Sequence, residues 1–172
     1  MPTFLSCFPS RKTLGDEDSL APLSGGGCIF CNVSKEKGFN IVYEDEELIA
    51  FHDRTPRAKV HLLIIPRRHL VSSVKELRRE HIPLLNAMTD LASTLVPSNP
   101  PPKTGFHIPP FSSVPHLHLH VFSGKHTFIG RFKYPISGIS GKSGDKGYGW
   151  FVTPDQVIKI LHVGKAVGLG RG

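Results

Sequence analysis

The sequence predicts a single α+β domain with a mostly antiparallel sheet. Apolar strand patterns come first, between residues 41 and 66, and a helical apolar pattern follows over residues 71–96. Strand patterns then return near residue 105 and at residues 116–122. Because strands precede and follow one main helix, rather than alternating with several helices, this order favours an antiparallel sheet.

Length and composition fit one globular domain. The chain has 172 residues, 39% of them hydrophobic and 20% charged, which suits a single core. No run of 18 apolar residues is present, so we expect no membrane-spanning helix and no membrane partner. The N-terminus lacks the apolar core of a secretory signal, and Asp16, Glu17 and Asp18 argue against a transit peptide. We therefore expect a cytoplasmic or nuclear protein.

The charge favours anionic partners. The formal net charge is +7, which suits a nucleotide or a nucleic acid, although many basic proteins bind neither. Three cysteines are too few for a disulfide framework, and two of them form the pair Cys28-x-x-Cys31.

The compact part is expected to begin at Cys28. Residues 1–27 mix charges, prolines and serines without periodicity and end in three glycines, which predicts a flexible tail. Residues 41–43 and 48–52 then predict two strands joined by an acidic turn. The apolar run 61–66, ended by a proline, predicts a buried strand.

Residues 71–96 predict one long helix, with Pro83 either kinking it or lying near its start. Ser73, followed three residues later by Glu76, predicts a capping box. The apolar positions that approximate helical spacing are Leu77, Leu84, Leu85, Met88, Leu91, Ala92 and Leu95.

The C-terminal part is predicted from three patterns. The stretch GFHIPPF predicts a strand followed by a turn, and the Gly/Ser-rich residues 136–149 predict a mobile loop. The stretch WFVTPDQVIKIL predicts a short strand and a short C-terminal helix that starts at Thr153-Pro154. The domain is therefore expected to span residues 28–162, with residues 163–172 as a frayed tail.

Three histidines alternate with apolar residues in HLHLHVF, residues 116–122. In a strand, His116, His118 and His120 would project to one side while the intervening apolar residues enter the core. Three interpretations stay open: polar positions of a half-exposed strand, a metal site, or a catalytic row. Neutral imidazole suits the last of these because it is both a nucleophile and a proton carrier.

The pair Cys28 and Cys31 has the spacing of a zinc knuckle. Cys7 is isolated in the predicted tail, which excludes a four-cysteine site or an iron–sulfur cluster. A redox pair or two buried thiols stay open. Spacing alone does not select the further ligands among the candidate histidines, which are His52, His61, His69, His81, His107, His116, His118, His120 and His126.

The ordered motifs CIFC, VYEDEELIAFHD, HLLIIPRRH and HLHLHVF resemble those of the histidine triad superfamily, over roughly residues 28–124. The stretch GFHIPPFSSVPHLHLHV, with WFVTPDQVIKIL after it, is most similar to the third type of histidine triad nucleotide-binding protein; aprataxin, another branch, has a similar pattern. The resemblance implies a histidine-triad-like fold. It also implies a hydrolase that cleaves the P–N bond of adenosine 5′-phosphoramidates, or acyl-adenylates, through a covalent nucleotidyl-histidine.

The resemblance also implies catalytic roles. His118 would attack the α-phosphate, and His120 would contact the phosphate oxygens and assist proton transfer. Ser113 would hydrogen-bond the phosphate or the leaving-group nitrogen, and His61 would lie close to the nucleophile.

For the nucleotide, the resemblance implies that Asp53 accepts the ribose hydroxyls. The base would lie between apolar residues, with a preference for purines and weak discrimination among bases. The positions that match this apolar pocket are Ile29, Phe30, Phe51 and Leu63.

Zinc-bearing branches of the superfamily bind the ion with residues that match Cys28, Cys31, His69 and His116. The resemblance therefore implies a zinc ion with a stabilising role, because a closed four-ligand site leaves no position for substrate. No organic cofactor is expected, and family members commonly form homodimers.

One motif departs from the superfamily. Better-studied members carry an Asn-Glu-Gly loop whose asparagine contacts the nucleotide, whereas this chain has GFHIPPF. Pro109 and Pro110 supply neither that amide nor a backbone N–H, and His107 is a candidate substitute.

Two alternative functions follow. An aprataxin-like hydrolase of adenylated DNA ends is favoured by Arg54, Arg57 and Lys59 near the expected site, but no cysteine for a C-terminal zinc finger follows residue 150. A nucleotide-binding scaffold, with incidental catalysis, is the other.

Overall fold

The computed structural model describes residues 27–135 and 149–170. Residues 1–26 of the tail predicted over 1–27, and residues 136–148 of the loop predicted over 136–149, lie outside the described residues. Among the helices described, none is both long and apolar enough to cross a membrane.

Within the described ranges, six strands form one sheet in the order β1-β2-β3-β5-β4-β6, and every hydrogen-bonded pair is antiparallel. The predicted α+β class is confirmed. The strands are β1 Ile41–Glu44, β2 Leu48–His52, β3 Ala58–Pro66, β4 Lys103–His107, β5 Leu119–His126 and β6 Phe151–Val152, and the helices are α1 Ile82–Leu95, α2 Phe128–Lys133 and α3 Pro154–His162.

Alternation along the central strands divides the apolar residues between the two faces of the sheet. On β3, Leu62 and Ile64 belong to the main core with α1 and α3, whereas Leu63 and Ile65 belong to a second cluster on the opposite face. The apolar residues that alternate with the three histidines enter the main core as predicted; they are Leu117, Leu119 and Val121. The histidines therefore face away from the main core. The strand predicted over residues 116–122 is wrong at its start, because β5 begins at Leu119 and His116 and His118 precede it.

The predicted long helix over residues 71–96 is wrong in its first part. Helix α1 begins at Ile82 with Pro83 in its first turn, and two separate 3₁₀ turns, at residues 74–76 and 79–81, precede it. Pro83 is tolerated there because a first-turn N–H has no helical partner, whereas within a longer helix its ring would clash with the preceding turn.

The predicted capping box at Ser73 is also wrong. Ser73 makes no side-chain cap hydrogen bond. Instead, the N–H of Ser72 donates to Glu76 Oε2 over 3.0 Å, so the glutamate ties a tight turn rather than a helix start.

The C-terminal prediction holds for the strand and the helix. Thr153 Oγ1 accepts from the N–H of Gln156, and Gln156 Oε1 accepts from the N–H of Thr153, a reciprocal cap at the start of α3. The chain stays packed beyond α3, where a frayed tail was expected, since Val167 is 3% exposed and lies in the main core.

Candidate active site and metal centre

A cavity of about 420 Å³ opens on the face of the sheet that carries the histidines. Its two ends differ in chemistry. One end is lined by apolar side chains, which are Ile29, Phe30, Phe39, Phe51 and Leu63. The other end is lined by His107, His118, His120, Lys133 and Tyr134. The cavity therefore offers an apolar wall and a polar wall to one ligand.

Most residues predicted for catalysis and nucleotide binding line this cavity. His118, His120, Ser113 and Asp53 do, and so do all four predicted base-contacting residues. His61 does not line it: the ring is 1% exposed and lies behind His120.

The proton on His118 is fixed by a backbone carbonyl. His118 Nδ1 lies 2.7 Å from the carbonyl oxygen of His116, and because a carbonyl only accepts, Nδ1 carries the proton. Burial lowers the pKa of His118, so the ring is neutral at pH 7. Nε2 therefore keeps a free lone pair on a residue that lines the cavity.

Three further histidines form a directed hydrogen-bond chain behind His118. His107 Nε2 donates to the carbonyl oxygen of Lys133 over 3.1 Å, so its Nδ1 must accept. His120 Nε2 then donates to His107 Nδ1 over 3.2 Å. His120 Nδ1 in turn accepts from His61 Nε2 over 3.0 Å.

At its other end, this chain of hydrogen bonds accepts from the backbone N–H of Arg57. That contact requires the same tautomers as the hydrogen bond to the Lys133 carbonyl. The N–H of Arg57 donates to His61 Nδ1 over 3.3 Å, and Asp53 Oδ2 lies 3.4 Å from His61 Nε2. Burial is the main cause that lowers the pKa of His61 and of His107 to about 4. Burial also lowers the pKa of His120. His61, His107 and His120 are therefore neutral at pH 7, and the tautomer of each is determined from both ends of this hydrogen-bond chain.

Asp53 lies on the cavity wall with part of its hydrogen-bonding capacity engaged. Its Oδ1 accepts from the N–H of Thr55 over 2.7 Å and from the Thr55 hydroxyl over 3.3 Å. This turn fixes the carboxylate beside the cavity, where Oδ2 faces His61.

Sequence reasoning missed part of the polar wall. His107 was considered as one of nine candidate metal ligands and as a substitute for an asparagine, whereas the structure makes it the neighbour of His120. The pairing of Gly105 with His120 across β4 and β5 brings it there. Tyr134 and Lys133, which end helix α2, carried no recognisable signal because α2 itself was not predicted.

The four residues predicted to bind zinc converge close to the start of β5. Their ligand atoms lie within 4.8 Å of one another. Cys31 Sγ is 3.2 Å from His69 Nδ1, and Cys28 Sγ is 3.6 Å from His116 Nδ1. His116 Nε2 donates to the carbonyl oxygen of Pro66 over 2.8 Å, which leaves the Nδ1 lone pair directed at the thiols. Two thiols and two imidazoles fit a tetrahedral zinc site.

Comparisons with known proteins agree with this geometry. The family model described as "Scavenger mRNA decapping enzyme C-term binding" matches residues 27–133, more than half of the chain. Adenosine 5′-monophosphoramidase HINT3 of Xenopus tropicalis is 33% identical over 143 residues, which cover 78% of this chain and 86% of that protein.

Two more distant relatives bear on the metal and the substrate. A 14 kDa zinc-binding protein of Brassica juncea is 33% identical over 100 residues, covering 54% of this chain and 88% of that protein. Aprataxin of Danio rerio is 37% identical over 87 residues, covering 48% of this chain and only 26% of that protein.

A solved structure shares the fold. The HIT family hydrolase from Clostridium thermocellum superposes with a TM-score of 0.54 at 29% identity, covering 59% of this chain and 94% of that one. With the family match over most of the described sheet, and with His120 on β5 and His116 and His118 directly before it, the chain belongs to the histidine triad family.

Proposed function

We propose that this protein is a nucleotide hydrolase that cleaves the P–N bond of adenosine 5′-phosphoramidates, or the corresponding bond of acyl-adenylates. The observation that carries the proposal is the free Nε2 lone pair of His118 at a cavity with one apolar and one polar wall. The adenosine 5′-monophosphoramidase named among the relatives supports the same reaction.

The reaction would proceed in two displacements at phosphorus. His118 Nε2 attacks the α-phosphorus, an N–P bond forms, and the bond to the leaving nitrogen breaks. Water then attacks the same phosphorus and releases AMP and the free histidine. The net reaction adds one water: its oxygen ends on phosphorus and one hydrogen ends on the leaving nitrogen. Two displacements replace one difficult attack by water.

The other residues of the cavity would bind and orient the nucleotide. His120 is 4% exposed, and the chain through His107 and His61 holds its ring in one orientation beside the phosphate. Ser113 would hydrogen-bond the phosphate or the leaving nitrogen. Asp53 would accept the ribose hydroxyls. The apolar end would sandwich the base, which favours purines without strong discrimination.

The four-residue cluster at Cys28, Cys31, His69 and His116 would hold a structural zinc ion. The converging lone pairs support this assignment, as does the zinc-binding relative. Zinc supplies a cross-link there: these ligands would tie the segment that carries Phe30 to the start of β5. A homodimer and a cytoplasmic or nuclear location stay predictions.

Hydrolysis of adenylated DNA ends is the second candidate. The similarity to aprataxin favours it, and the cation Arg54 lines the cavity. A nucleotide-binding scaffold is disfavoured by the free lone pair of His118, which a merely binding cavity does not need.

A substrate comparison tests the proposal. The purified protein is incubated with adenosine 5′-phosphoramidate and, separately, with an adenylated nicked duplex, and AMP release is measured. Faster turnover of the phosphoramidate is expected. Faster turnover of the duplex would make the second candidate correct, and turnover of neither would favour the scaffold. Rapid quenching with labelled substrate, followed by digestion, should place the label on the peptide that contains His118.

A further inference from the structure

We propose that the polar end of the cavity selects a leaving group that carries a negative charge, and that the ammonium group of Lys133 is the specificity-determining contact. This inference rests on the proposed function and concerns the part of the substrate that departs from phosphorus. The chemical class is an amine or acid whose departing fragment bears a carboxylate, sulfate or phosphate.

The position of the leaving group follows from the order of side chains along the cavity. Phe30 packs against His118 with ring centroids 5.6 Å apart, and His118 lies 5.0 Å from His120. His120 in turn lies 5.0 Å from Tyr134. With the base at the apolar end and phosphorus at His118, the contacts along the lining continue through His120 to Tyr134 and Lys133, and there we place the departing fragment.

The Lys133 backbone is fixed at this end of the cavity. The carbonyl oxygen of Lys133 accepts from His107 Nε2 and from Trp150 Nε1, each over 3.1 Å. Its ammonium nitrogen lies 5.7 Å from the centroid of the Tyr134 ring. Phe111, which lines the cavity, packs against Trp150 at 5.2 Å and completes the rim. The ammonium group thus lies beside the ring of Tyr134, a residue that lines the cavity.

The charges that line the cavity are unbalanced. Lys133 and Arg54 are positive, and Asp53 is the one acidic residue among the described lining residues. Asp53 is engaged by Thr55 and faces His61. Within the described part of the chain, neither lining cation forms an ion pair. A leaving group with an ammonium would meet uncompensated repulsion, whereas an anion would be attracted.

Three matched substrates test this inference. They are adenosine 5′-phosphoramidates in which the α-phosphorus is linked to the amino nitrogen of β-alanine, of β-alaninamide or of 1,3-diaminopropane. Their departing fragments are similar in size and carry a carboxylate, a neutral amide and an ammonium. We expect kcat/KM to be highest for the carboxylate and lowest for the ammonium.

The variant Lys133→Gln isolates the contact from the differing reactivity of the three amines. Each kcat/KM is divided by the wild-type value for the same substrate. The variant should lose about fivefold on the carboxylate relative to the amide, the size of an exposed charge contact, and should gain on the ammonium. Lys133→Arg should restore the wild-type order. The wild-type preference should weaken as salt rises from about 20 to 500 mM, because screening shortens the reach of the charge.

Arg131→Gln is the matched control, since Arg131 is an exposed cation on the same helix that does not line the cavity. It should leave the substrate order unchanged. The inference is overturned if Lys133→Gln, shown to be folded by its melting curve, leaves all three ratios unchanged, or if Arg131→Gln changes them equally. If no phosphoramidate is hydrolysed by the wild type, the proposed function fails and this inference fails with it; turnover without charge selection overturns the inference alone.

Discussion

His116 and His118 are two residues apart, yet they belong to histidine clusters of different kinds. In the cluster around His116, the lone pairs converge on one point between Cys28, Cys31 and His69. The proton of His116 is directed away, to the carbonyl oxygen of Pro66. A single zinc ion could be bound by the ligand atoms of all four residues at once, which is why the arrangement fits zinc.

In the cluster beside His118, the nitrogens also lie close enough to share a metal, but their lone pairs are used. His61 accepts from a backbone N–H, His120 accepts from His61, and His107 accepts from His120. Only Nε2 of His118 keeps a free lone pair among these four rings. Residue type does not distinguish a metal site from a nucleophile here, because both clusters contain histidines. The tautomers of those histidines, which are set by backbone carbonyls, do distinguish them.

Replacing His118 gives the largest expected effect, and it should affect the cluster beside His118 without affecting the cluster around His116. His118→Ala removes the single free lone pair, so turnover of adenosine 5′-phosphoramidate should fall by at least about a thousandfold. Metal content should not change, because the carbonyl group of His116 belongs to the backbone. Steady-state kinetics, elemental analysis and a melting curve measure these outcomes. Activity within tenfold of wild type would show that another group attacks phosphorus.

Replacing a thiol should disrupt the cluster around His116 instead. Cys28→Ala removes one ligand, so zinc should be lost. If zinc is present at about a thousand times its dissociation constant, the free energy of unfolding should fall by about 4 kcal/mol. At low temperature, where the variant stays folded, kcat should remain near the wild-type value.

Zinc stoichiometry and denaturant unfolding measure the effect, and Cys7→Ala, outside the predicted domain, is the control that should change neither. A loss of kcat in the folded, metal-free variant would contradict the separation of the two clusters, since it would mean that His116 needs the ion to position His118.

Much of the two histidine clusters could be predicted from the sequence because the patterns that place their residues are local. Alternation alone places the histidines of HLHLHVF on one face and Leu117, Leu119 and Val121 in the core. The strands of the sheet and the reciprocal cap of α3 were predicted for the same reason. The family resemblance, rather than spacing, selected His69 and His116 from nine histidines.

The errors arise where distant residues decide the outcome. Val74 and Leu77 are buried at a three-residue spacing, which a 3₁₀ turn satisfies as well as a helix, so the apolar pattern could not distinguish the two. Helix α2 was missed because it contains Gly130, a poor helix former, and exposes Phe128 and Phe132. A Cβ on Gly130 would collide with the carbonyl oxygen of Arg57, a contact that no local pattern reveals.

Breaking the hydrogen-bond chain should reduce activity less than removing the nucleophile. His107→Leu leaves Nε2–H of the buried His120 without its acceptor, and such a loss costs about 1–3 kcal/mol. If the chain orients His120, kcat should fall by about ten- to a hundredfold, with zinc content unchanged. His107→Gln, whose amide can accept from His120 and donate to the Lys133 carbonyl, should recover most of the rate. Equal losses in both variants would mean that the imidazole itself is required.

The smallest expected effect is a difference in the pH dependence of stability. His107 has a folded-state pKa of about 4 because it is buried, and His118, Lys133 and Asp53 are the charged or titratable groups that act on it. In the unfolded chain its pKa returns to about 6.5. Between these values the unfolded state binds the extra proton, so this residue makes stability fall as pH decreases from about 6.5 towards 4.

The variant His107→Leu isolates that contribution from those of the other histidines. Urea unfolding of both proteins, prepared with the same metal content, should give a shallower decline for the variant between pH 6.5 and 4.5. The difference should correspond to up to about one proton taken up on unfolding. Parallel curves would mean that His107 is already charged in the folded protein, and then its Nδ1 could not accept from His120. The directed chain, and with it the reason why this cluster excludes a metal ion, would have to be abandoned.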